Sequence, residues 1–173
     1  MEQLALFILR ISLMAIPLYV CNGLALVFGG RKHIDFGRKF FDGKPILGEG
    51  KTFKGTFAGI FFAGIASLAI STAFPQATEI MGTNYMFYGT VLGIGAVLGD
   101  FAGSFAKRRL GIERGKSVLW LDQLDFVAGG LALGLIIAMP TPLEALFLLA
   151  FTMIAHVLGN TIAFSARMKK VPW

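Results

Sequence analysis

Five apolar stretches, each close to twenty residues long, leave this chain few ways to fold. A helix needs about 20 such residues to cross the roughly 30 Å hydrocarbon core of a bilayer, where the backbone must satisfy its own hydrogen bonds. The stretches run from Leu4 to Phe28, Gly55 to Phe74, Tyr85 to Ala106, Val118 to Met139 and Leu143 to Ser165. They take up most of the 173 residues, and 55% of the chain is hydrophobic against 15% charged. The expectation is an all-α integral membrane protein, five transmembrane helices forming one domain over residues 1–173. Cys21 is the single cysteine, so no disulfide can form within the chain.

The charges orient these helices. Lys and Arg are retained on the cytoplasmic side of a membrane. Seven lie between Gly29 and Lys54, five between Lys107 and Ser117, and the tail adds Arg167, Lys169 and Lys170. The links around 75–84 and 140–142 have none. This puts the N-terminus outside and the C-terminus in the cytoplasm, with two basic cytoplasmic loops. The net charge of +6 is then accounted for by the bilayer and calls for no nucleic acid. The first stretch is long, carries Arg10 and lacks a basic leader, so it reads as an anchor and not a cleaved signal. Arg10, about two turns inside the outer end, is expected to snorkel outward, and Pro17 to kink the helix.

Polar chemistry gathers between Gly99 and Gly130, where Asp100, Asp122 and Asp125 stand with five basic residues. An acid at the centre of a membrane helix costs about 2.5–3.5 kcal/mol on insertion scales, so it needs a partner or a task. Asp100 lies one helical turn before Ser104 and two before Lys107 and Arg108, on one side of the helix. Asp122 and Asp125, three apart, also share a face. They could simply favour the positive end of a helix dipole, worth about 0.3–1 kcal/mol each, but two desolvated carboxylates so close repel unless a cation is present. A metal and phosphates are the favoured reading. On the same helix as Asp100, Gly95, Gly99 and Gly103 form a small-residue stripe that lets another backbone approach.

A second polar patch precedes the second helix, where Gly48, Gly50 and Gly55 interleave with Lys51, Thr52 and Lys54. Unpaired N–H groups at a helix start bind anions, so a phosphate could sit there, though membrane anchoring explains the lysines equally well. The stretch is no P-loop, because Pro45 stands where that pattern needs glycine. Arg31 to Phe41 mixes basic and aromatic residues as a segment lying along headgroups does. His33 reads as a solvated interfacial residue. Asn22, and His156 with Asn160 four residues on, read as packing contacts between helices, and Asn22 and Asn160 fall at about the depth of Asp100.

Taken together, GDFAGSFAKRR, LDQLDF and GEGKTFKG resemble the CDP-archaeol synthases, archaeal relatives of the phosphatidate cytidylyltransferases. The resemblance covers nearly the whole chain and its five-span layout. It implies a Mg²⁺-dependent membrane enzyme that transfers CMP from CTP to 2,3-bis-O-geranylgeranylglycerol 1-phosphate and releases pyrophosphate. Asp100, Ser104, Lys107 and Arg108 match the family signature on this helix, Asp122 and Asp125 its paired aspartates, and Lys51 and Thr52 a lysine-threonine associated with nucleotide. The chain is shorter than the phosphatidate enzymes, lacks their Pro-Gly-His-Gly-Gly run, and has Gln123 where they have arginine between the aspartates. These departures favour an ether-lipid phosphate over a diacyl one.

On that basis Asp100, Asp122 and Asp125 are the expected catalytic acids and Mg²⁺ ligands. Lys51, Lys54, Lys107 and Arg108 would hold the triphosphate, Thr52 and Ser104 would assist, and Asn22 and Asn160 would touch the edge of the site. CTP enters from water, so the site should face the cytoplasm at the inner surface of the cell membrane. A small transporter would more naturally carry acids at mid-membrane on several helices or an inverted repeat. A noncatalytic lipid-binding scaffold would have no use for the aspartates.

Overall fold

The computed structural model describes residues 1–112, 118 and 120–165, the side chains of residues 160, 163 and 164 excepted. The described residues form six helices, α1 (Glu2–Val27), α2 (Phe53–Ala73), α3 (Gln76–Met81), α4 (Tyr85–Arg109), α5 (Leu121–Gly134) and α6 (Pro142–Ser165). Four of them, α1, α2, α4 and α6 over Pro142–Gly159, are long and apolar enough to cross a membrane. Side-chain caps set two of the starts. Thr52 accepts from the Gly55 amide at 3.2 Å, and Asn84 from the Phe87 amide at 2.9 Å, each giving an orphan N–H of a first turn its partner.

The fourth apolar stretch departs from expectation. Residues 118–139 were expected to span, yet the helix there is only 14 residues, about 21 Å long. Past Gly134 the amides of Ile136 and Ile137 bond carbonyls three residues back, which tightens the chain into a turn. Leu135 to Met139 is apolar but cannot prolong the helix into the next one. Pro140 disfavours helical geometry at Met139, and Thr141 must leave it to cap α6.

Helix α4 is the centre of the bundle, packing on α5, α2 and α1. Buried Met14, Leu18, Cys21, Tyr85, Tyr88, Leu92 and Phe126 belong to one core that joins these helices. Pro17 lies within an unbroken α1. Proline offers no N–H to the carbonyl four residues back, and that carbonyl, on Leu13, accepts the Tyr85 hydroxyl at 2.8 Å. The glycine stripe does what its spacing predicts. A Cβ at Gly95 would fall 2.6 Å from the Gly129 carbonyl oxygen, and one at Gly99 would fall 2.9 Å from the Gly129 Cα. Helices α4 and α5 therefore touch backbone to backbone.

Arg10 does not snorkel. Its Nε donates to Glu144 Oε1 at 2.5 Å and its Nη1 to the Ile80 carbonyl at 2.6 Å, tying α1 to α6 and α3. Glu144 is buried at 3% exposure and also accepts the Thr141 amide at 2.7 Å, while Thr141 Oγ1 accepts the Glu144 amide at 3.2 Å. That reciprocal pair is a capping box opening α6. A carboxylate already held in place gives the guanidinium a better partner than the interface would.

Between α1 and α2 the chain folds into a hairpin of two pieces. Residues 32–34 pair with 51–53 at its base, and 38–40 with 44–46 at its tip. Asp35 lies in the break between them. Its Oδ1 accepts the Gly37 amide at 3.0 Å, and its Oδ2 accepts the amides of Leu47 and Gly48, both at 2.9 Å. Burial opposes the charge, but these three amides and nearby His33 outweigh it and hold the Asp35 carboxyl below the usual aspartate range. The tip is fastened to the end of α4. Arg109 bonds Asp42 and the Pro45 carbonyl and lies over the rings of Phe40 and Phe105, and Lys44 Nζ reaches the Arg109 carbonyl at 2.6 Å. Of the aromatic residues in the segment expected along the headgroups, Phe36, Phe40 and Phe41 all remain exposed.

Candidate functional site

The glycine contact between α4 and α5 decides where the acids meet. Gly103 leaves the space that the Asp125 carboxyl occupies, since a Cβ there would stand 3.0 Å from Asp125 Cγ. Asp125 comes within electrostatic reach of Asp100, Lys51 and Asp122, which puts the three acids in one neighbourhood. Two of them hold an ammonium group. Lys51 Nζ lies 2.5 and 2.6 Å from the two Asp100 oxygens, and Lys107 pairs with Asp122, whose other oxygen accepts the Val118 amide at 3.0 Å. Among the described residues Asp125 accepts only the Phe126 amide, at 2.7 Å, and no cation pairs with it.

Two clefts open nearby, and of the three acids Asp100 lines one of them. One, of about 170 Å³, lies among α1, α2 and α4 and is lined by Asn22, Leu26, Lys51, Thr56, Asp100 and Phe101 among others. The second, of about 110 Å³, lies between the Leu47–Lys51 turn and the end of α4, where it meets Ser104, Lys107 and Arg108. Gly50 and Lys51 line both. In the second cleft Gly48, with φ of +85°, presents backbone to Arg108, and the buried Arg108 Nε has no partner among the described residues. A guanidinium, an ammonium, a buried hydroxyl and a glycine-rich turn, with Glu49 also in the lining, form a seat for an anion with several oxygens.

The other expected residues divide. Asn22 does reach the first cleft with Asp100, and Ser104 the second. Thr52 lines the first cleft, but its oxygen caps α2 and also accepts the Gly30 amide at 3.0 Å. Lys54 is exposed beside Gly30 and lines neither cleft. The Asn160 side chain lies outside the described residues, as do the cations of 114, 116 and the tail. His33 contributes backbone to the hairpin base, and His156 meets the ring of Phe126. Asp35 was missed, since two of its three amide partners, Leu47 and Gly48, lie twelve and thirteen residues on.

Three carboxylates with a shared approach offer the hard oxygen donors that Mg²⁺ prefers. No three ligating side chains among the described residues close a cage by themselves. That suits an ion that keeps waters and brings phosphate oxygens as its remaining ligands. The donor set fits Mg²⁺ on condition that Lys51 and Lys107 can leave their aspartates.

Known proteins match this arrangement over almost all its length. The family model described as CarS-like, CDP-archaeol synthase, matches residues 4–173. The CDP-archaeol synthase of Methanocaldococcus jannaschii is 42% identical over 165 residues, covering 91% of this chain and 93% of that protein. Those of Aeropyrum pernix and Methanosarcina barkeri are 36% and 38% identical, over 96% and 91% of this chain and 92% and 99% of their own. A solved structure, described as an intramembrane enzyme for archaeal membrane lipids biosynthesis, superposes with a TM-score of 0.77. It is 35% identical and covers 86% of this chain and 90% of its own.

Proposed function

From the premise that this chain belongs to the CDP-archaeol synthase family, we propose a course for its reaction through the two clefts. The protein is a multi-pass membrane enzyme, a CTP-dependent cytidylyltransferase that forms CDP-archaeol. Its lipid substrate is 2,3-bis-O-geranylgeranylglycerol 1-phosphate. The phosphate of this lipid enters the larger, partly apolar cleft beside Asn22 and Asp100, its chains staying in the bilayer past Leu26 and Phe101. The triphosphate of CTP lies in the smaller cleft, against Ser104, Lys107, Arg108 and the Gly48–Gly50 turn. The observation that carries this reading is that Gly50 and Lys51 wall both clefts, so donor and acceptor phosphates meet at one ammonium group.

The chemistry asks little of a general base. A phosphate monoester is already anionic near neutral pH, and its oxygen attacks the α-phosphorus of CTP while the bond to the β-phosphate oxygen breaks. Pyrophosphate leaves with the electron pair. Mg²⁺ bound by Asp100, Asp122 and Asp125 would supply charge neutralisation for the attacking and leaving oxygens. Lys51 and Lys107 release their aspartates and pass to the incoming phosphates, exchanging one anionic partner for another. Arg108 and Ser104 align the leaving diphosphate, so that catalysis is positioning and charge stabilisation.

The basic loops support an orientation with N-terminus outside, C-terminus cytoplasmic and both clefts facing the cytoplasm of the cell membrane. In that arrangement α5 and the turn after it complete the fifth crossing, and the chain works as one catalytic domain. The test is a competition assay on purified protein in detergent, with labelled CTP and Mg²⁺ and equal ether-lipid phosphate and diacyl phosphatidate. The expected product is the CDP-ether lipid with equimolar pyrophosphate. Predominant CDP-diacylglycerol would overturn the substrate assignment.

A further inference from the structure

The residue that holds the nucleotide cleft in shape touches neither cleft. Regular pairing of the hairpin between α1 and α2 is lost at residues 35–37 and 47–50, and the second of these segments is the wall that faces Ser104 and Arg108. Amides freed by such a break need acceptors. Asp35, buried at 7% exposure, provides them for Gly37, Leu47 and Gly48 with its two carboxylate oxygens. The neighbouring Lys51 touches the turn through its amide, which donates to the Gly48 carbonyl at 3.4 Å, but it has two ties outside the turn, its carbonyl accepting the Ile34 amide at 2.9 Å and its Nζ held by Asp100. Loss of the Asp35 carboxylate therefore strips the Leu47 and Gly48 amides of their acceptor while the Lys51 carbonyl and Nζ keep their partners.

We infer that Asp35 is a positioning residue for the nucleotide, fixing the Leu47–Gly50 turn against Arg108 so that its backbone meets the phosphates of CTP. The inference rests on the reading that the triphosphate occupies that cleft. Its signature is a split in the kinetics, because the lipid cleft takes only Gly50 from that turn and draws its other walls from α1, Lys51, Thr52, α2 and α4. Asp35→Ala should raise KM for CTP about tenfold or more, with kcat and the KM for lipid phosphate changed less than about threefold. Hydrogen exchange in peptides covering residues 37–50 should rise in the absence of substrates. Asp35→Asn keeps one carbonyl oxygen able to accept from Leu47 and Gly48 but loses the acceptor for Gly37, so it should raise KM for CTP by a smaller factor, about three- to fivefold. It also serves as the measured variant if the alanine form does not fold.

Faster exchange with an unchanged KM for CTP in either variant overturns the inference, as does a parallel rise in both substrates' KM values. Arg108→Ala, run alongside, separates this from failure of the premise. A normal KM for CTP in that variant would remove the triphosphate from this cleft and the role of Asp35 with it.

Discussion

Adding one methyl group at Gly95 should disarm the site without touching any charged residue. The new Cβ would lie 2.6 Å from the Gly129 carbonyl oxygen, 2.8 Å from the Gly130 Cα and 2.9 Å from the Leu133 Cβ. Two of these are backbone atoms, which no rotamer change can remove. Real Cβ contacts stay beyond 3.0–3.4 Å, so α4 and α5 must part by about 0.4–0.8 Å at this level. Overpacking of this kind costs about 1–3 kcal/mol of stability. The consequence for activity is larger, because Asp100 rides on α4 while Asp122 and Asp125 ride on α5. A 1 Å misplacement of reacting groups can cost about 100-fold, so kcat should fall roughly 10- to 100-fold. The assay is CMP transfer by purified Gly95→Ala protein, normalised to the folded fraction, beside its thermal unfolding in detergent. Gly159→Ala is the control, with nothing within 4 Å of its Cβ on helix α6, and should be neutral or gain up to about 1 kcal/mol. Wild-type turnover and melting in Gly95→Ala would refute the argument that backbone contact between α4 and α5 sets the acids.

Other substitutions test other joints. Glu144→Ala strands the Arg10 guanidinium, and since Arg10 is partly exposed the cost should be about 2–3 kcal/mol, seen as a lower melting temperature with turnover per folded molecule kept. Thr52→Ala leaves the Gly30 and Gly55 amides without their acceptor and should cost about 1–2 kcal/mol in the same measurement, while Thr52→Ser should restore it. The Asp35 carboxyl titrates below its unfolded range, so its stabilising effect is complete above that range and is lost as pH falls through the lowered value. Hydrogen exchange over residues 37–48 should therefore accelerate on acidification below about pH 4 in the wild type and show no such step in Asp35→Asn.

The sequence made some of this plain and hid the rest for physical reasons. The four long helices all begin within two residues of where hydropathy put them, and the glycine stripe announced a close helix contact because its four-residue spacing has few other uses. Hydropathy overstated α5, since it counts Leu135 to Met139 as apolar without registering that the prolines and the Thr141 cap end a helix. Arg10 was misjudged because its partner is 134 residues away. The Thr141-x-x-Glu144 capping box was there to read and would have pointed to a fixed carboxylate at the same membrane surface. The close packing of the helix that carries Asp100 on the helix that carries the paired aspartates was legible. That Lys51 and Lys107 each hold one of these three acids was not, nor that Thr52 is occupied as a cap while Lys54 stays outside the clefts.

Anomalous diffraction from crystals grown with Mn²⁺ in place of Mg²⁺ and a nonhydrolysable CTP analogue tests the centre of this account. The expected result is a manganese peak at coordination distance from carboxylate oxygens of both α4 and α5, with Lys51 and Lys107 turned onto phosphate. A peak away from Asp100, Asp122 and Asp125, or nucleotide bound with both lysines still on their aspartates, would contradict it.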